Sequence, residues 1–284
     1  MAVDLHAHST ASDGTETPGE VMRIAARADL SAVALTDHDT LQGLGEAQIV
    51  ADGVGVELIP GTEISCEWAA GTMHMVILFL EPGAGPLQDR LGSLQDGRSR
   101  RNQVIIERLQ DLGMDITYEE ILAEAGGGSV GRPHFAAVME QKGYVADFRA
   151  AFDEYLATGQ PAYVPRDRLP PQEAIRLALD SGAVPVIAHP HTLGLNNASE
   201  FADAYAQLAE WGLIGIECFY GEYDRTTQHA LASAITSFDL LPSGGSDFHG
   251  DYKAGLELGF GRGQLAVPES VLDDLRAARP TRSP

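Results

Sequence analysis

The sequence begins with a short segment in which metal-binding side chains recur at every second position. Asp4, His6 and His8 alternate with apolar residues, and Asp13 follows shortly after them. On a β-strand, alternate side chains project to the same face, so Asp4, His6 and His8 would point together. Two neutral imidazoles held two residues apart on a rigid strand are good ligands for a transition metal. The segment therefore predicts one part of a metal site.

Other histidines lie in comparable polar clusters far along the chain. A single histidine at the end of a strand is more often a hydrogen-bonded structural residue than a ligand. Here, however, seven of the nine histidines lie at the ends of expected elements, and several have acidic neighbours. These seven are His6, His8, His38, His74, His134, His189 and His249. So many clustered imidazoles indicate a metal site assembled from several distant segments.

The acidic residues of these clusters have both a structural and a functional interpretation. Glu63 follows a glycine in an otherwise apolar strand. A buried carboxylate needs a partner, so Glu63 is either a metal ligand or a hydrogen-bonded core acid. Asp13 and Asp39 are also typical of turns and helix caps, and Asp37 and Asp39 can orient imidazoles. Asp247 precedes a histidine by two positions and so repeats the spacing of the first cluster.

The basic residues and His229 also have either a structural or a functional interpretation. Arg132 is either a surface charge or, beside a metal site, a bidentate clamp for phosphate. Arg98, Arg100 and Arg101 are expected on the water-facing side of a helix. His229 lies in the middle of a predicted helix without an acidic neighbour, so we expect it to be structural.

The polar clusters must be positioned by strands that alternate with helices. Strands are predicted over residues 2–8, 30–35, 56–64, 73–80, 184–188, 214–218 and 240–243. Such alternation is typical of a parallel sheet that closes, or nearly closes, into a barrel with its functional groups at the carboxyl ends of the strands. An open doubly wound sheet is the alternative, but it would gather ligands at one crevice. His74, at the start of a predicted strand, is the one exception to the strand-end pattern.

Between the fourth and fifth predicted strands, the chain carries helix patterns only. Helices are expected over residues 97–112, 118–125, 132–142 and 148–157. We therefore expect residues 1–85 and 170–284 to form the metal-binding barrel. Residues 86–169 would form a helical insertion that contributes to the active site.

Composition and charge restrict the partners of the protein. The 284 residues carry a formal net charge of −22, which opposes binding of long nucleic acid because that requires a basic surface. A small anionic substrate remains compatible, since bound cations can make a pocket locally positive. No apolar run is long enough to span a membrane. The two cysteines are too few for a disulfide framework, and we expect a cytoplasmic protein with no membrane partner.

The ordered set of motifs resembles the PHP (polymerase and histidinol phosphatase) family. The matching residues run through nearly the whole chain: Asp4-x-His6-x-His8, Asp13, Thr36-Asp37-His38-Asp39, Gly61-x-Glu63, His74, His134, Ala188-His189-Pro190 and Gly245-Ser246-Asp247-x-His249. The arrangement is most similar to the stand-alone PHP phosphoesterases that act on nucleotides. One departure concerns the pocket, because relatives often have glycine where this chain has His191.

The resemblance implies a distorted seven-stranded (β/α)7 TIM-like barrel that holds three divalent metal ions, namely manganese, iron or zinc. By that pattern, the first ion would be bound by His6, His8, Glu63 and Asp247. The second would be bound by Glu63, His74 and His134, and the third by Asp13, His38 and His249.

The resemblance further implies a hydrolase for phosphate monoesters of small nucleotides. The favoured reaction is removal of the 3′-phosphate from nucleoside 3′,5′-bisphosphates. His189 and Asp247 are the expected catalytic residues, and Arg132, His189 and His191 are expected to contact substrate. The alternatives are 5′→3′ trimming of short oligonucleotides, a histidinol phosphatase, and a non-catalytic PHP module stabilised by metal. No nucleophile elbow or phosphate-binding loop supports another chemistry.

Overall fold

The computed structural model describes residues 2–126, 128–165 and 167–280. Eight strands form one sheet in the described part of the chain: β1 (Ala2–Ala7), β2 (Leu30–Leu35), β3 (Glu57–Cys66), β4 (Met73–Leu78), β5 (Val184–Ile187), β6 (Gly215–Tyr220), β7 (Leu241–Gly245) and β8 (Val267–Pro268). Their spatial order is β7-β6-β5-β4-β3-β2-β1-β8. The strands are mostly buried, and apolar residues form most of both faces, as expected where helices cover a sheet.

The sheet curves into a nearly closed barrel in which the segment after β7 meets β1. The backbone N–H of Asp247 donates to the carbonyl of His6 at 2.8 Å, and the N–H of His8 donates to Phe248 at 2.9 Å. A Cβ atom at Gly245 would collide with the backbone nitrogen of His6. The strands therefore approach this closely only because residue 245 has no side chain.

The strand count and one strand direction differ from the sequence prediction. Seven strands are predicted, whereas the sheet has eight, because Val267–Pro268 pairs antiparallel with β1 and is too short to show an alternating pattern. In addition, β4 runs antiparallel to both β3 and β5. The beginning of β4 consequently lies beside the end of β3, where His74 pairs with Ser65. His74 thus lies at the same edge as the strand-end residues.

Ten α-helices accompany the strands in the described part of the chain: α1 (Pro18–Arg27), α2 (Leu44–Val54), α3 (Pro86–Asp111), α4 (Tyr118–Glu124), α5 (Arg132–Gln141), α6 (Phe148–Ala151), α7 (Pro171–Asp180), α8 (Ala198–Glu210), α9 (Arg225–Ile235) and α10 (Glu269–Ala277). A π-helical turn, Phe152–Leu156, continues α6. A short 3₁₀ turn at Pro190–Leu193 follows β5. Another, at Gly250–Lys253, follows the closing segment, which is the segment after β7 that meets β1.

Helix α3 connects two separate hydrophobic cores. Its first half begins eleven residues before the predicted start and packs Leu87 and Leu91 against the sheet. Its second half contributes Ile105 and Leu109 to a second core, built from residues 105–162. The helices between β4 and β5 thus have a core of their own, while the long helix that leads to them belongs partly to the barrel.

Two expectations from composition can be compared with the structure. Within the described residues, no helix is both long and apolar enough to cross a membrane. Cys66 and Cys218 are buried free thiols, which agrees with the expectation that two cysteines do not build a disulfide framework.

The close approach at Gly245 predicts a specific loss of stability. Gly245→Ala places a methyl group against the β1 backbone, so we expect the free energy of unfolding to fall by ~1–3 kcal/mol. Gly92→Ala is the matched control, because its added Cβ meets nothing within 4 Å in the middle of α3. This control should stabilise the protein by ~0.5–1 kcal/mol. Urea unfolding of the metal-free proteins measures both, and equal effects would contradict the account of barrel closure.

Candidate metal centre

Polar side chains from six strands and the segments that follow them converge at one end of the barrel. His6 lies on β1 and His8 directly after it, while His38 follows β2. Glu63 lies near the end of β3, and His74 lies at the adjacent beginning of β4. The segments after β5 and β7 supply the remaining members, which are His189, Asp247 and His249. All but His74 are almost completely buried.

The carboxylate of Glu63 lies at the centre of this cluster. Its two oxygens face different imidazoles, and the side chain is 1% exposed. Atom Oε2 is 3.1 to 3.5 Å from ring nitrogens of His38, His8 and His6. Atom Oε1 is 3.0 and 3.1 Å from those of His74 and His189. A carboxylate whose two oxygens face different sets of ring nitrogens is placed to contribute one oxygen to each of two metal sites.

Three groups of side chains have ligand atoms close enough to hold a metal ion. Within each group these atoms lie within 4.8 Å of one another. The groups are His6, His8 and Asp247; His38, Glu63 and His74; and His8, Asp13, His38 and His249. Nitrogen and carboxylate oxygen donors of this kind suit manganese, iron and zinc.

The described residues do not by themselves satisfy all the ring nitrogens of this cluster. The Nε2 atoms of His6 and His8 face each other at 3.1 Å. Two nitrogens at this separation suit neighbouring positions around one ion, with each nitrogen ~2.1 Å from it. Atom Nδ1 of His8 is buried and has no hydrogen-bond partner among the described residues, and Asp13 Oδ1 lies 3.8 Å away. Buried polar atoms normally have partners, so the residues present fit bound metal ions.

The grouping differs at one position from the set implied by the resemblance. His134 was expected beside Glu63 and His74, but His38 takes that place. His134 lies on α5, where its Nδ1 accepts a hydrogen bond from the N–H of Gly131 at 2.9 Å. This contact occupies the Nδ1 atom of the ring in this arrangement. His134 therefore lies outside the three groups in this arrangement.

Carboxylates around the cluster fix the orientation of its ligands. Glu217 on β6 accepts a hydrogen bond from His6 Nδ1 at 2.9 Å and another from the backbone N–H of His189 at 2.6 Å. Atom Nδ1 of His249 donates to the carbonyl of Asp247 at 2.9 Å, which leaves Nε2 available as a ligand. Such partners select the imidazole tautomer and direct the ring. The sequence gives no signal for Glu217, because its strand shows no polar cluster.

Two buried aspartates, Asp4 and Asp37, lie outside the three ligand groups and have hydrogen-bond partners of their own. Asp4 accepts hydrogen bonds from the backbone N–H groups of His6, Ser246 and Gly259. Burial raises the pKa of Asp4 despite these bonds. Asp37 accepts from the Ser9 and Ser12 hydroxyls at 2.7 and 2.6 Å, and burial raises its pKa to about 6. Both residues therefore organise loops around the metal centre.

The charges of the cluster are strongly coupled. Burial lowers the pKa of His8 to about 3, with help from the neighbouring His249 imidazole, so His8 is neutral and able to bind metal. Burial alone would lower the pKa of His6, but the carboxylates of Glu217, Asp247 and Glu63 raise it well above its ordinary value. Burial alone would raise the pKa of Glu63, but the surrounding imidazoles hold it well below its usual range.

Three non-glycine residues in the segments that form the metal centre adopt left-handed backbone conformations. The φ angles are 57° at Asp39, 28° at His189 and 56° at Asp247. Such conformations are uncommon outside glycine and are typical of functional sites, where the surrounding structure holds them in place. Here they turn the chain so that the His189 and Asp247 side chains point into the cluster.

Most members of the ligand groups line a cavity of about 460 Å³, whereas His6 and His8 lie behind its wall. The helical segment contributes Phe148 and Phe152 to its wall, and the turn after the closing segment contributes Tyr252 and Lys253. The Lys253 ammonium forms an ion pair with Asp247, whose carboxylate also accepts from Tyr220 at 3.0 Å. The sequence places Lys253 away from any strand end, and the 3₁₀ turn brings it back to the site.

The arginines occupy other positions than the sequence suggests. Arg132, the expected phosphate clamp, is not among the cavity-lining residues. It donates to the carbonyl of Leu156 at 3.1 Å, and its guanidinium carbon lies 6.0 Å from the centroid of the Phe152 ring. Arg98 and Arg101 are buried rather than water-facing, and Arg98 forms an ion pair with Asp39. Helix α3 buries them because it passes between the barrel and the second core.

Comparison with known proteins decides the family. The model of the PHP domain family matches residues 4–163, more than half of the chain. The chain belongs to the PHP family. Together with the three ligand groups, this membership makes the protein a metal-dependent phosphoester hydrolase.

Relatives of this PHP protein include enzymes with different named activities. A 5′-3′ exoribonuclease of Haemophilus influenzae is 35% identical over 247 residues, which cover 87% of this chain and 89% of that protein. A 3′,5′-nucleoside bisphosphate phosphatase of Chromobacterium violaceum is 33% identical over 265 residues, with 90% of each chain covered. A solved Bifidobacterium adolescentis structure, provisionally described as a metal-dependent phosphoesterase, matches with a TM-score of 0.84 and 28% identity, covering 97% of this chain and 95% of that one.

The carboxylate of Glu217 provides a test of how the centre is built. Glu217→Gln keeps the volume but places an amide against two N–H donors, so we expect metal affinity to fall by ~10–100-fold. Glu107→Gln, on the exposed side of α3, is the matched control and should leave affinity unchanged. Equilibrium dialysis with manganese measures both. Unchanged affinity in Glu217→Gln would show that this carboxylate does not orient the ligands.

Proposed function

We propose that this PHP protein removes phosphate from small nucleotides, with the 3′-phosphate of nucleoside 3′,5′-bisphosphates as its preferred target. The observation that carries the proposal is the set of three ligand groups around Glu63 at the base of a confined cavity. Metal ions bound by these groups would place positive charge where a phosphate would bind. The similar bisphosphatase of Chromobacterium violaceum supports the same substrate class.

The size and charge of the site favour a small substrate. A cavity of about 460 Å³ lies within the ~300–1,000 Å³ range of small-molecule pockets. The net charge of −22 opposes the approach of a long polyanion, because binding would require a basic surface. A nucleotide of one or a few residues avoids that cost, since only its phosphates need to enter the centre.

Three divalent ions of manganese, iron or zinc would be held by the side chains of the three ligand groups. Glu63 belongs to one group and also lies close to His6 and His8, so it would be able to contribute to a second. Such ions, when bound, supply positive charge for the phosphoryl oxygens and lower the pKa of water, so that it can attack phosphorus. We assign His6, His8, Asp13, His38, Glu63, His74, Asp247 and His249 to these sites. His134 remains a candidate ninth ligand in this proposal, because the charge of Asp13 acts on its ring while burial lowers its pKa.

The protein side chains have distinct tasks in this reaction. His189 faces the cavity, with Nε2 towards Glu63 and Nδ1 within 3.1 Å of the Thr192 hydroxyl. We assign it the protonation of the leaving oxygen or the binding of the phosphate. Lys253, which also lines the cavity, neutralises negative charge at its mouth. Asp247 is essential because it anchors both this lysine and one ligand group.

Residues 86–169 act in this proposal as a helical insertion that completes the active site. Phe148 and Phe152 place apolar rings over the cavity, which excludes water from the reacting phosphate. Arg132 packs against Phe152 and the Leu156 carbonyl, and so positions this wall. Its effect on substrate binding is therefore expected to be indirect.

A second candidate function is 5′→3′ removal of nucleotides from short oligonucleotides. It is favoured by the 35% identity to the Haemophilus influenzae exoribonuclease. A histidinol phosphatase would use the same ions on an amine-bearing substrate. A non-catalytic metal-stabilised module is disfavoured because three candidate ligand groups lie together at the cavity.

One experiment separates these functions. Manganese-loaded protein is given a nucleoside 3′,5′-bisphosphate, a 5′-phosphorylated trinucleotide and histidinol phosphate in parallel, and both phosphate and mononucleotide release are measured. We expect rapid phosphate release from the bisphosphate and loss of that activity after chelation with EDTA. Asp247→Ala is the inactive control. Faster processing of the trinucleotide would assign the exonuclease function, and no turnover by metal-loaded protein would contradict phosphoester hydrolysis by this chain.

A further inference from the structure

A second cavity adjoins the metal centre on the same end of the barrel. It is a groove of about 690 Å³ between α8 and α9. We name it the α8–α9 groove, and its wall includes Phe201, Tyr205, Tyr223 and Phe238. Among the residues that the structure describes, His191 alone lines both this groove and the metal-centre cavity. The two spaces are therefore neighbours, separated by one exposed imidazole.

The His191 ring is fixed by a neighbouring tyrosine. The backbone N–H of His191 donates to the Tyr223 hydroxyl oxygen at 3.1 Å. The hydroxyl also lies 2.9 Å from His191 Nδ1 and is thus placed to donate its proton there. The neutral ring consequently carries its own proton on Nε2. His191 therefore offers one directed N–H donor at the boundary between the groove and the metal centre.

The lining of the α8–α9 groove indicates the chemistry of its occupant. Aromatic rings and small alanines form most of the wall, and no Lys, Arg, Asp or Glu lines it among the described residues. Such a surface suits an uncharged planar group and not a phosphate. The hydroxyl-bearing residues Thr226, Thr227 and Ser237 supply the few polar groups that could orient a heterocycle.

We propose that the α8–α9 groove binds the nucleobase of the substrate, with His191, held by Tyr223, as the hydrogen-bond donor at its entrance. This inference rests on the proposed nucleotide substrate and adds the location of its base. The phosphate lies at the metal centre, the sugar passes His191, and the base stacks on the aromatic wall. Stacking accepts every base because each has a π-face, so the groove provides affinity with little base selectivity.

The groove is tested by filling it. Ala230, on the exposed side of α9, lines the groove, and Ser233, on the same helix, does not. Ala230→Phe should raise the KM for a nucleoside 3′,5′-bisphosphate by about tenfold or more, since loss of one stacking contact corresponds to roughly that change. The kcat/KM for the base-free ribose bisphosphate should stay within about twofold of wild type. Ser233→Phe is the matched control and should change neither value.

The pairing of His191 with Tyr223 is tested separately, by the KM and kcat of variants at these two positions. Tyr223→Phe keeps the ring in the groove but releases the His191 imidazole, so we expect a higher KM with kcat retained. His191→Ala should show the same split, whereas His191→Gln, which restores an N–H donor, should recover part of the affinity. His229→Ala controls for removal of an exposed histidine from this region. A fall in kcat with unchanged KM would overturn the assignment.

Two further results keep the groove assignment distinct from the proposed activity. Binding of adenosine alone, followed by calorimetry, should weaken in Ala230→Phe whether or not the enzyme turns over a bisphosphate. Phe152→Ala tests the alternative location of the base on the helical insertion. If Phe152→Ala raises the KM for the bisphosphate and Ala230→Phe does not, the base lies on the insertion and the inference is wrong. Unchanged adenosine binding in Ala230→Phe would also overturn it.

Discussion

The metal centre depends on one buried carboxylate placed among five imidazoles. Glu63 directs one oxygen to His38, His8 and His6 and the other to His74 and His189. A buried charge of this kind is stable only when it is paired, and the same requirement draws the ends of several strands together. The pairing of Glu63 with these imidazoles therefore helps to hold the strand ends together at the metal centre. Glu217, Asp37 and Asp4 then fix the loops that hold the ligands.

Much of this centre could be predicted from sequence, because strand-end histidines and carboxylates carry a recognisable spacing. The position of His74 could not be understood in the same way. It begins a strand, and only the antiparallel course of β4 brings that beginning to the functional edge. Strand direction depends on which neighbours pair, and local sequence does not record it. For the same reason, the pairing of Val267–Pro268 with β1 escaped the seven-strand prediction.

Residues whose roles arise from long-range contacts were the hardest to predict. Glu217 looks like an ordinary strand residue, yet it orients two histidines. Arg98 and Arg101 have the pattern of an exposed helix face but are buried where α3 leaves the barrel. The role of Arg132 also depends on its surroundings, because the fold turns its guanidinium towards Phe152. Each case reflects packing between segments far apart in the chain, which sequence periodicity does not encode.

The central claim is that Glu63 joins two metal sites. The most direct measurement is the number of manganese ions bound per chain in wild type and in Glu63→Gln, determined by dialysis and elemental analysis. Glu67→Gln, an exposed glutamate just beyond the same strand, is the matched control. The account predicts three ions in wild type and in the control, and at most one tightly bound ion in Glu63→Gln. Retention of all the ions at wild-type affinity by Glu63→Gln would contradict it.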